Sequence, residues 1–599
     1  MPTLITKRDE GCGVLAEPPL LAGLPGFAGK FIPMDQAREL YQRVRLAPPG
    51  FRLSALLTEM KVKLDVQPAD LECIPVQGPL VAVANHPFGV LDGAALAVLL
   101  LRARPDVKIL TNSLLEGIPE LHEHCIFVDP FHTPSSAERN VKPLRQALEW
   151  VRRGGALAVF PAGEVSQWNL REAQVTDPAW STVAARLVRK TGASALPVYF
   201  RGHNSVTFQL LGLIHPRLRT LFLLQEFLQQ REKNVHVRIG KAIPSEVISN
   251  LVNDAEATEY LRQRTYLLSY RGRKSISISH KMRAALPRKP SEPIAPEVPS
   301  RFVSADIAAL PEERLLVENA EFAVYAARAC ELPHLLDELG RLREITFRAA
   351  GEGTGRSADL DQFDAYYWHL LLWNKQKQEL AGAYRAGNTD EIIRAHGIKG
   401  LYTNTVFRYD EQLFLKIGSA LELGRSFVCL QYQRQYAPLL LLWKGIARFV
   451  AAHPETPVLF GAVSISNEYS SLSREMIVRY FQQRNDGREF ADLIHARTPF
   501  RAPRLRRWDC AAVCSALRDL DQLAEPISDV EEDGKGLPIL IKQYDKVGGR
   551  LVGFNLDRKF SDVVDGLVIV DLRQTDAAVL ERYMGKEGYR NFRRAHPLG

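Results

Sequence analysis

The chain has 599 residues, 46% hydrophobic and 24% charged, with 40 glycines and 36 prolines. That is too long for one compact core and too ordinary for a collagen-like or wholly disordered polymer, so two large domains, or two plus an appendage, are expected. The net charge of +8 is uneven, at +11 through Pro290 and −3 from Ser291 onward. A basic first half suits nucleic acid, an anionic membrane surface or an acidic carrier protein.

Seven cysteines (Cys12, Cys73, Cys125, Cys330, Cys429, Cys510 and Cys514) include no CxxC pair. An odd, scattered set argues against both a disulfide scaffold and a zinc site, and no metal is expected. Cys510 and Cys514, one helical turn apart without neighbouring histidines, read as core. The N-terminus MPTLITKRDEGCG has no apolar signal core, so a cytoplasmic location is expected. The longest uncharged run, Cys73–Leu91, holds three prolines, two glycines, Asn85 and His86, and reads as strand and turn. A spanning helix needs about 20 mostly apolar residues. Any membrane contact is therefore expected to be peripheral.

From Pro79 to Phe200, strand-like and helix-like runs alternate. Strands are predicted at Leu80–Ala84, Val107–Thr111, Ile126–Val128, Ala156–Phe160 and Ala195–Phe200. Helices are predicted at Gly93–Arg102, Val141–Arg153 and Ser181–Lys190. Such alternation is the signature of an α/β sheet with crossover helices. Phe208–Leu228 is apolar but interrupted by His215, Pro216, Arg217 and Arg219. Tyr270–Lys289 then carries seven Lys/Arg and no acid, and leads into prolines at 287, 290, 293, 296 and 299. This is a linker, semi-rigid where prolines cluster. Its basic part is either a solvated hinge or a contact for anionic lipid, worth roughly 1 kcal/mol per cation.

A second α/β pattern follows. Leu332–Arg348, Leu439–Ala451 and Ser473–Phe481 read as helices. Tyr367–Trp373, Glu379–Arg385, Ser426–Cys429 and Val458–Ile465 read as strands, and Leu537–Leu572 holds further alternating apolar segments. No internal repeat is visible. The expected domains are 1–270 and 311–599, joined by a basic, proline-rich linker over 271–310.

The richest segment is Leu80-Val-Ala-Val-Ala-Asn85-His86-Pro87-Phe88-Gly89-Val90-Leu91-Asp92-Gly93. It sets a histidine at a strand exit and a carboxylate at the start of the next helix. That pair suits deprotonation of a hydroxyl, with the imidazole as base and the carboxylate fixing its tautomer. Alone, it equally describes a structural strand-end histidine. Phe160-Pro161-Ala162-Gly163-Glu164-Val165-Ser166 follows another strand, and Leu196-Pro197-Val198 lies in a third. The order and spacing of these blocks resemble the phosphate-type lysolipid acyltransferase family, over roughly Pro79–Pro197. The resemblance implies attack of a lysolipid hydroxyl on an acyl thioester, with His86 as general base and Asp92 as its orienter. It also implies acceptor and oxyanion contacts around Asn85, Gly163, Glu164 and Pro197.

Two departures stand out. Five residues separate His86 from Asp92 where the family has four, so Gly89 must absorb one in the turn. Ala162 stands where the family's acid follows Phe-Pro, with Glu164 two positions later. Both variants resemble the subgroup once labelled haemolysin-like, which includes lyso-ornithine lipid acyltransferases. Ile126-Phe-Val-Asp129-Pro-Phe-His132 offers no match to the family's phosphate-gripping arginine, which leaves room for an amino-acid headgroup.

Downstream stand Asp361-Gln362-Phe363-Asp364, Ala381-Gly382-Ala383-Tyr384-Arg385 and Glu422-Leu423-Gly424-Arg425. By spacing alone they also fit an ion-pair lattice. Their order resembles the carrier-dependent GNAT-like N-acyltransferases, namely acyl-homoserine-lactone synthases and, more closely, the ornithine N-acyltransferase family. Phe460-Gly461-Ala462-Val463-Ser464-Ile465-Ser466, Glu468-Tyr469-Ser470, Leu537-Pro538-Ile539-Leu540 and Gly553-Phe554-Asn555 extend the resemblance over most of Leu332–Leu572. No pyrophosphate loop of the coenzyme-A type is recognisable, which fits an acyl carrier protein donor. The carrier could dock on Arg474, Arg479, Arg501, Arg504, Arg506 and Arg507, which equally describe an ordinary basic surface. An acceptor amine is mostly ammonium at pH 7 and must lose a proton; Glu422 is the expected base. Asp361 or Asp364 is expected to hold a distal cation, and Arg385 or Arg425 a carboxylate.

Together the two halves resemble the bifunctional ornithine lipid synthase family. The implied fold is two α/β domains, lysolipid-acyltransferase-like and then GNAT-like. The implied sequence is N-acylation of ornithine by 3-hydroxyacyl carrier protein, then O-acylation of the lyso-lipid. The carrier's phosphopantetheine thioester is the donor and no other cofactor or nucleic-acid partner is expected. The implied location is the cytoplasmic face of the inner membrane. A lysophospholipid acyltransferase with an accessory GNAT-like domain, or an inactive membrane-binding protein, are the competing readings.

Overall fold

A computed structural model describes residues 34–129, 134–169, 174–209, 216–272, 291–484, 487–490, 492–501, 510–558 and 560–597. The chain forms two compact units, Met1–Arg271 with Arg506–Ala516, and Gly272–Leu505 with Leu517–Gly599. Most of the basic linker (273–290), together with His132, His215 and Arg504, Arg506 and Arg507, lies outside the described residues. From Ser291 the chain already belongs to the second unit, where Ser300–Ala309 is a helix.

The first unit is built on a seven-stranded sheet in the order β1-β9-β8-β2-β5-β3-β4. Its strands are β1 (Lys63–Asp65), β2 (Leu80–Ala84), β3 (Val107–Asn112), β4 (Cys125–Val128), β5 (Ala156–Val159), β8 (Ser194–Arg201) and β9 (Asn234–Ile239). A two-stranded ribbon, β6 (Gln167–Asn169) with β7 (Gln174–Thr176), lies outside it. Only β8 and β9 pair antiparallel within the main sheet. All five residues of β2 are buried between β5 and β8, which explains its unbroken apolar run. The following helix, α1 (Val90–Ala103), is apolar nearly all round and buries Leu91, Leu96, Leu99 and Leu100 in the same core. Because β2, β3, β4, β5 and β8 run parallel, their C-terminal ends share one edge of the sheet. That edge is where an open α/β sheet places its ligand.

The second unit carries an eight-stranded sheet in the order β10-β11-β12-β13-β15-β16-β19-β18. These are β10 (Leu315–Glu318), β11 (Phe322–Arg328), β12 (Trp368–Asn374), β13 (Glu379–Asn388), β15 (Ala420–Val428), β16 (Val458–Ile465), β18 (Arg550–Asp557) and β19 (Val563–Asp571). A small pair, β14 (Phe407–Tyr409) with β17 (Ile494–Ala496), stands apart. Helix α2 (Leu335–Ala349) and helix α3 (Tyr436–Ala452) flank the sheet. Every main-sheet pairing is antiparallel except β15 with β16, which match from Ala420↔Val458 to Leu423↔Gly461. Beyond that rung both strands continue but no longer pair, so a wedge opens inside the sheet. Gly461 sits at the last rung, where a Cβ would stand 2.1 Å from the Leu423 carbonyl oxygen. A bulge in β15 opposite Tyr384 puts Arg425 at φ +48°, a left-handed conformation rare for arginine.

The expected strand Ser426–Cys429 is the tail of β15, which begins at Ala420 and carries the Glu-x-x-Arg block within it. Glu422 concealed its first half, because this buried carboxyl is satisfied by backbone amides and a tyrosine hydroxyl that the sequence does not show. The terminal helix Ala577–Ala595 had no counterpart in the expected elements. Among the described residues, no helix is long and apolar enough to cross a membrane. No group of three His, Cys, Asp or Glu among them could hold a metal ion. Cys510 and Cys514 are buried, with sulfurs 3.8 Å apart.

Candidate active sites

In the first unit, the exit of β2 turns sharply through Pro87 and Gly89 into α1. Gly89 caps the helix at φ +83°, absorbing the extra residue between histidine and aspartate. The turn brings His86 Nδ1 to 3.1 Å from Asp92 Oδ2. The same oxygen accepts the Phe88 amide at 2.8 Å and the Gly89 amide at 3.0 Å. The Asp92 side chain is fully buried, and burial raises its pKa while His86 and the two amides pull part of the way back. With Nδ1–H given to the carboxylate, Nε2 carries the lone pair able to take a hydroxyl proton. The His86 side chain keeps 18% exposure, and Phe160 packs on it with ring centroids 4.3 Å apart.

The other expected residues of this site divide. The Asn85 amide donates to the Phe200 carbonyl at 2.9 Å and accepts the Phe200 amide at 2.7 Å. It therefore clamps β2 to β8 and positions His86, where an acceptor contact was expected. The Gly163 amide closes a turn onto the Phe160 carbonyl at 3.0 Å, where an oxyanion contact was expected. Glu164 is exposed beside it. Pro197 is buried inside β8, opposite Val83, away from the sheet edge where His86 stands. A proline is tolerated there because β9 stops pairing at Ile239, and the bridge to β8 resumes only at Ala195↔Ile243.

Asp177 was not foreseen. Its Oδ1 accepts the His86 amide at 3.2 Å and the Ser166 hydroxyl at 2.5 Å, and its Oδ2 accepts Trp180 Nε1 at 2.9 Å. The Ser166 amide closes the ring by donating to the His86 carbonyl at 2.8 Å. The histidine backbone is thus fixed from both sides by a carboxylate 91 residues away.

In the second unit, the expected acids and arginines come together but pair with one another. Arg385 Nη1 reaches Asp361 Oδ1 at 2.6 Å and Asp364 Oδ1 at 3.1 Å. Arg343, from α2, donates to Asp364 Oδ1 through both terminal nitrogens at 2.9 Å. Arg425 lies 3.1 Å from Asp359, 3.5 Å from Asp361 and donates to the Tyr402 hydroxyl at 2.7 Å. Three aspartates balance three guanidiniums, as burial demands. Burial pushes the Asp364 carboxyl up, but Arg343 and Arg385 outweigh it and hold it below the ordinary carboxylate range. The separate cation and carboxylate holders expected at Asp361, Asp364, Arg385 and Arg425 are thus replaced by one internal network. Arg343 and Asp359 were missed, since neither stands in a recognisable block.

Glu422 is buried in β15. Its Oε1 accepts the Thr403 amide at 2.6 Å, and Oε2 accepts the Tyr402 amide at 3.2 Å and the Tyr367 hydroxyl. Burial raises its pKa against these donors. Three donors around one carboxyl describe a clamp on the 402–403 turn. Arg474, expected at a docking surface, turns inward instead and donates to the Asp562 carbonyl at 3.1 Å. Burial lowers its pKa. Arg479 and Arg501 are exposed.

A parallel sheet edge bearing His86 and Asp92, joined in one chain to a splayed mixed sheet, defines a protein with two acyltransferase-type domains. The family profiles agree: residues 14–272 match the family described as Acyltransferase, and residues 342–444 match the Acetyltransferase (GNAT) domain. A glycine N(alpha)-acyltransferase of Phocaeicola vulgatus is 35% identical over 208 residues, 33% of this chain and 61% of that protein. The chain thus spans about three fifths of that relative's length. A glycine N(alpha)-acyltransferase of Bacteroides thetaiotaomicron is 30% identical over 281 residues, 44% of this chain and 82% of that protein. The chain belongs to the family of these N-acyltransferases. A lyso-glycine lipid O-acyltransferase of Phocaeicola vulgatus is 27% identical over 223 residues, 36% of this chain and 77% of that protein.

Proposed function

We propose that this chain builds a double-tailed amino-acid lipid in two steps. The second unit transfers a 3-hydroxyacyl group from a carrier-protein thioester to the α-amine of an amino acid. The first unit then acylates the hydroxyl of that product, with His86 as base and Asp92 holding its tautomer. The observation that carries the reading is the fusion itself: one chain joins a region similar to a glycine N(alpha)-acyltransferase and a region similar to a lyso-glycine lipid O-acyltransferase. The wedge between β15 and β16 adds support, because its unpaired strand edges can receive the amide groups of a phosphopantetheine arm. Ornithine is the headgroup implied by the sequence blocks, and glycine the one in the relatives' names. The substrates and the basic first half support attachment at an anionic membrane surface.

Expression in a host lacking aminolipids, followed by mass spectrometry of the lipid extract, tests the reading. The expected product is a phosphorus-free lipid with one amide-linked hydroxyacyl chain and one ester-linked chain; its mass identifies the headgroup. With His86→Ala only the mono-acylated amide should accumulate. A change confined to phosphatidic acid would favour a lysophospholipid acyltransferase, and an unchanged extract an inactive protein.

A further inference from the structure

Past the last rung of the β15–β16 pairing, Ser464 of β16 stands directly opposite Asp565 of β19. In-register pairing places both on the face that carries Glu422, Phe460, Leu567 and Ile569. Ala462 and Ser464 are the partly exposed residues of β16, so this is where the face opens. Glu352 reaches the same place from the end of α2. There Gly351, at φ +72°, reverses the chain, and the Glu352 amide closes onto the Phe347 carbonyl at 2.7 Å. The Ser464 hydroxyl lies 3.1 and 3.0 Å from the two Glu352 oxygens and donates to the carboxyl.

The loop that presents Glu352 is held rigid. Glu344, on the last turns of α2, accepts the Thr354 hydroxyl at 2.6 Å, the Thr354 amide at 3.1 Å and the Gly355 amide at 2.8 Å. The Ser466 hydroxyl donates to the Ala350 carbonyl at 3.1 Å. Such support is what a group acting on a substrate requires, and no ion pair of the network described above includes Glu352.

Resting on the N-acylation reading, we propose that Glu352 is the base that takes a proton from the acceptor's ammonium. Ser464 orients its carboxylate, and Asp565 is the second carboxyl beside which the ammonium sits. One ammonium proton passes to the Glu352 carboxylate. The freed nitrogen lone pair forms the C–N bond at the thioester carbonyl as the C–S bond breaks. A second nitrogen-bound proton neutralises the departing thiolate, and Glu352 returns its proton to water. Amide, thiol and one released proton result.

The charges around Glu352 set its working range. Burial pushes it up to about 7; the Ser464 hydroxyl opposes this, and Glu468 adds to it. Asp565 also faces it, and burial, Asp557 and Glu352 raise Asp565 well above the ordinary range, against Arg425 and Asn555. A base near neutrality, held by one hydroxyl donor, matches the task better than Glu422, which three donors tie to the 402–403 turn.

The test uses the purified full chain with a long-chain 3-hydroxyacyl carrier protein and glycine or ornithine. For the wild type, kcat/KM for N-acylation should rise with pH and level off above about 7. Glu352→Gln should lower the rate at pH 7 by about 10²–10⁴-fold. It should also abolish the inflection, while O-acylation and the melting curve show the chain folded. Glu352→Asp should restore part of the rate with the inflection, and Ser464→Ala should move the inflection upward. A folded Glu352→Gln chain with wild-type rate and inflection would overturn this role and leave the N-acylation reading intact. A wild-type chain that acylates no amino acid would overturn both.

Discussion

Asp92 Oδ2 is shared between the His86 ring, 3.1 Å away, and the Phe88 and Gly89 amides at 2.8 and 3.0 Å. One carboxylate oxygen therefore fixes both the turn and the imidazole tautomer. Asp92→Asn retains an oxygen for the amides but brings an NH₂ group into the site. That NH₂ group takes the place of Oδ1, which accepts no hydrogen bond, so the turn and the tautomer persist while the negative charge that stabilises the imidazolium is gone. O-acylation should fall by about 10²–10⁴-fold with little change in KM. Steady-state kinetics with an N-acylated amino-acid acceptor measure it, and N-acylation by the same chain should persist.

Gly89 makes a separate prediction. At φ +83° an alanine is strained, and its Cβ would meet Val165 at 3.4 Å and Leu223 at 3.6 Å. Gly89→Ala should cost about 1–2 kcal/mol in stability. It should also lower O-acylation, because relief of the strain withdraws the amide from Asp92. Denaturant unfolding and O-acylation rates, measured together, check both effects.

The chemistry of the first site was legible because it is local. A buried strand, a glycine turn and a helix-start aspartate fall within the fourteen residues Leu80–Gly93. What tertiary register decides was not legible. Asp177 reaches His86 only because the chain returns beside the β2 exit. The Asp361, Asp364, Arg385 and Arg425 blocks give no sign of whether acids and arginines face a ligand or each other. The pairing of β13 with β15, and Arg343 arriving from α2, settle that they face each other. Glu352 sits in an ordinary Gly-Glu-Gly turn, and only the fold sets it against Ser464.

Asp364 should dominate the acid sensitivity of the second unit. Its native pKa is depressed, so the stability it contributes is present above its unfolded value near 3.8 and lost as pH falls below it. Asp364→Asn leaves Arg343 and Arg385 short of a buried partner and should cost about 3–5 kcal/mol at neutral pH. Urea unfolding from pH 7 to pH 3 should show the gap to wild type narrowing as the solution becomes acidic.

Glu422→Gln should act mainly on stability. The glutamine can accept through one end only, so a donor among Tyr367, Tyr402 and Thr403 meets an NH₂ group. The expected loss is about 1–3 kcal/mol. Below its melting transition the variant should keep far more N-acylation than Glu352→Gln, a comparison that needs only the two rates at one temperature.

Asp565 carries the opposite sign from Asp364. Burial, then Asp557 and Glu352, raise its pKa, so the folded chain holds a proton there that the unfolded chain has lost. Native stability therefore declines as pH rises from about 4 toward the folded value, by up to about 1.4 kcal/mol per pH unit for this one proton. An asparagine keeps the shape and carries no titrating proton. Asp565→Asn should match wild type near pH 4 and become progressively more stable than it at higher pH. Urea midpoints across pH 4–8 measure the divergence. Parallel stability curves for the two chains would show that Asp565 ionises as freely in the folded state as in the unfolded one.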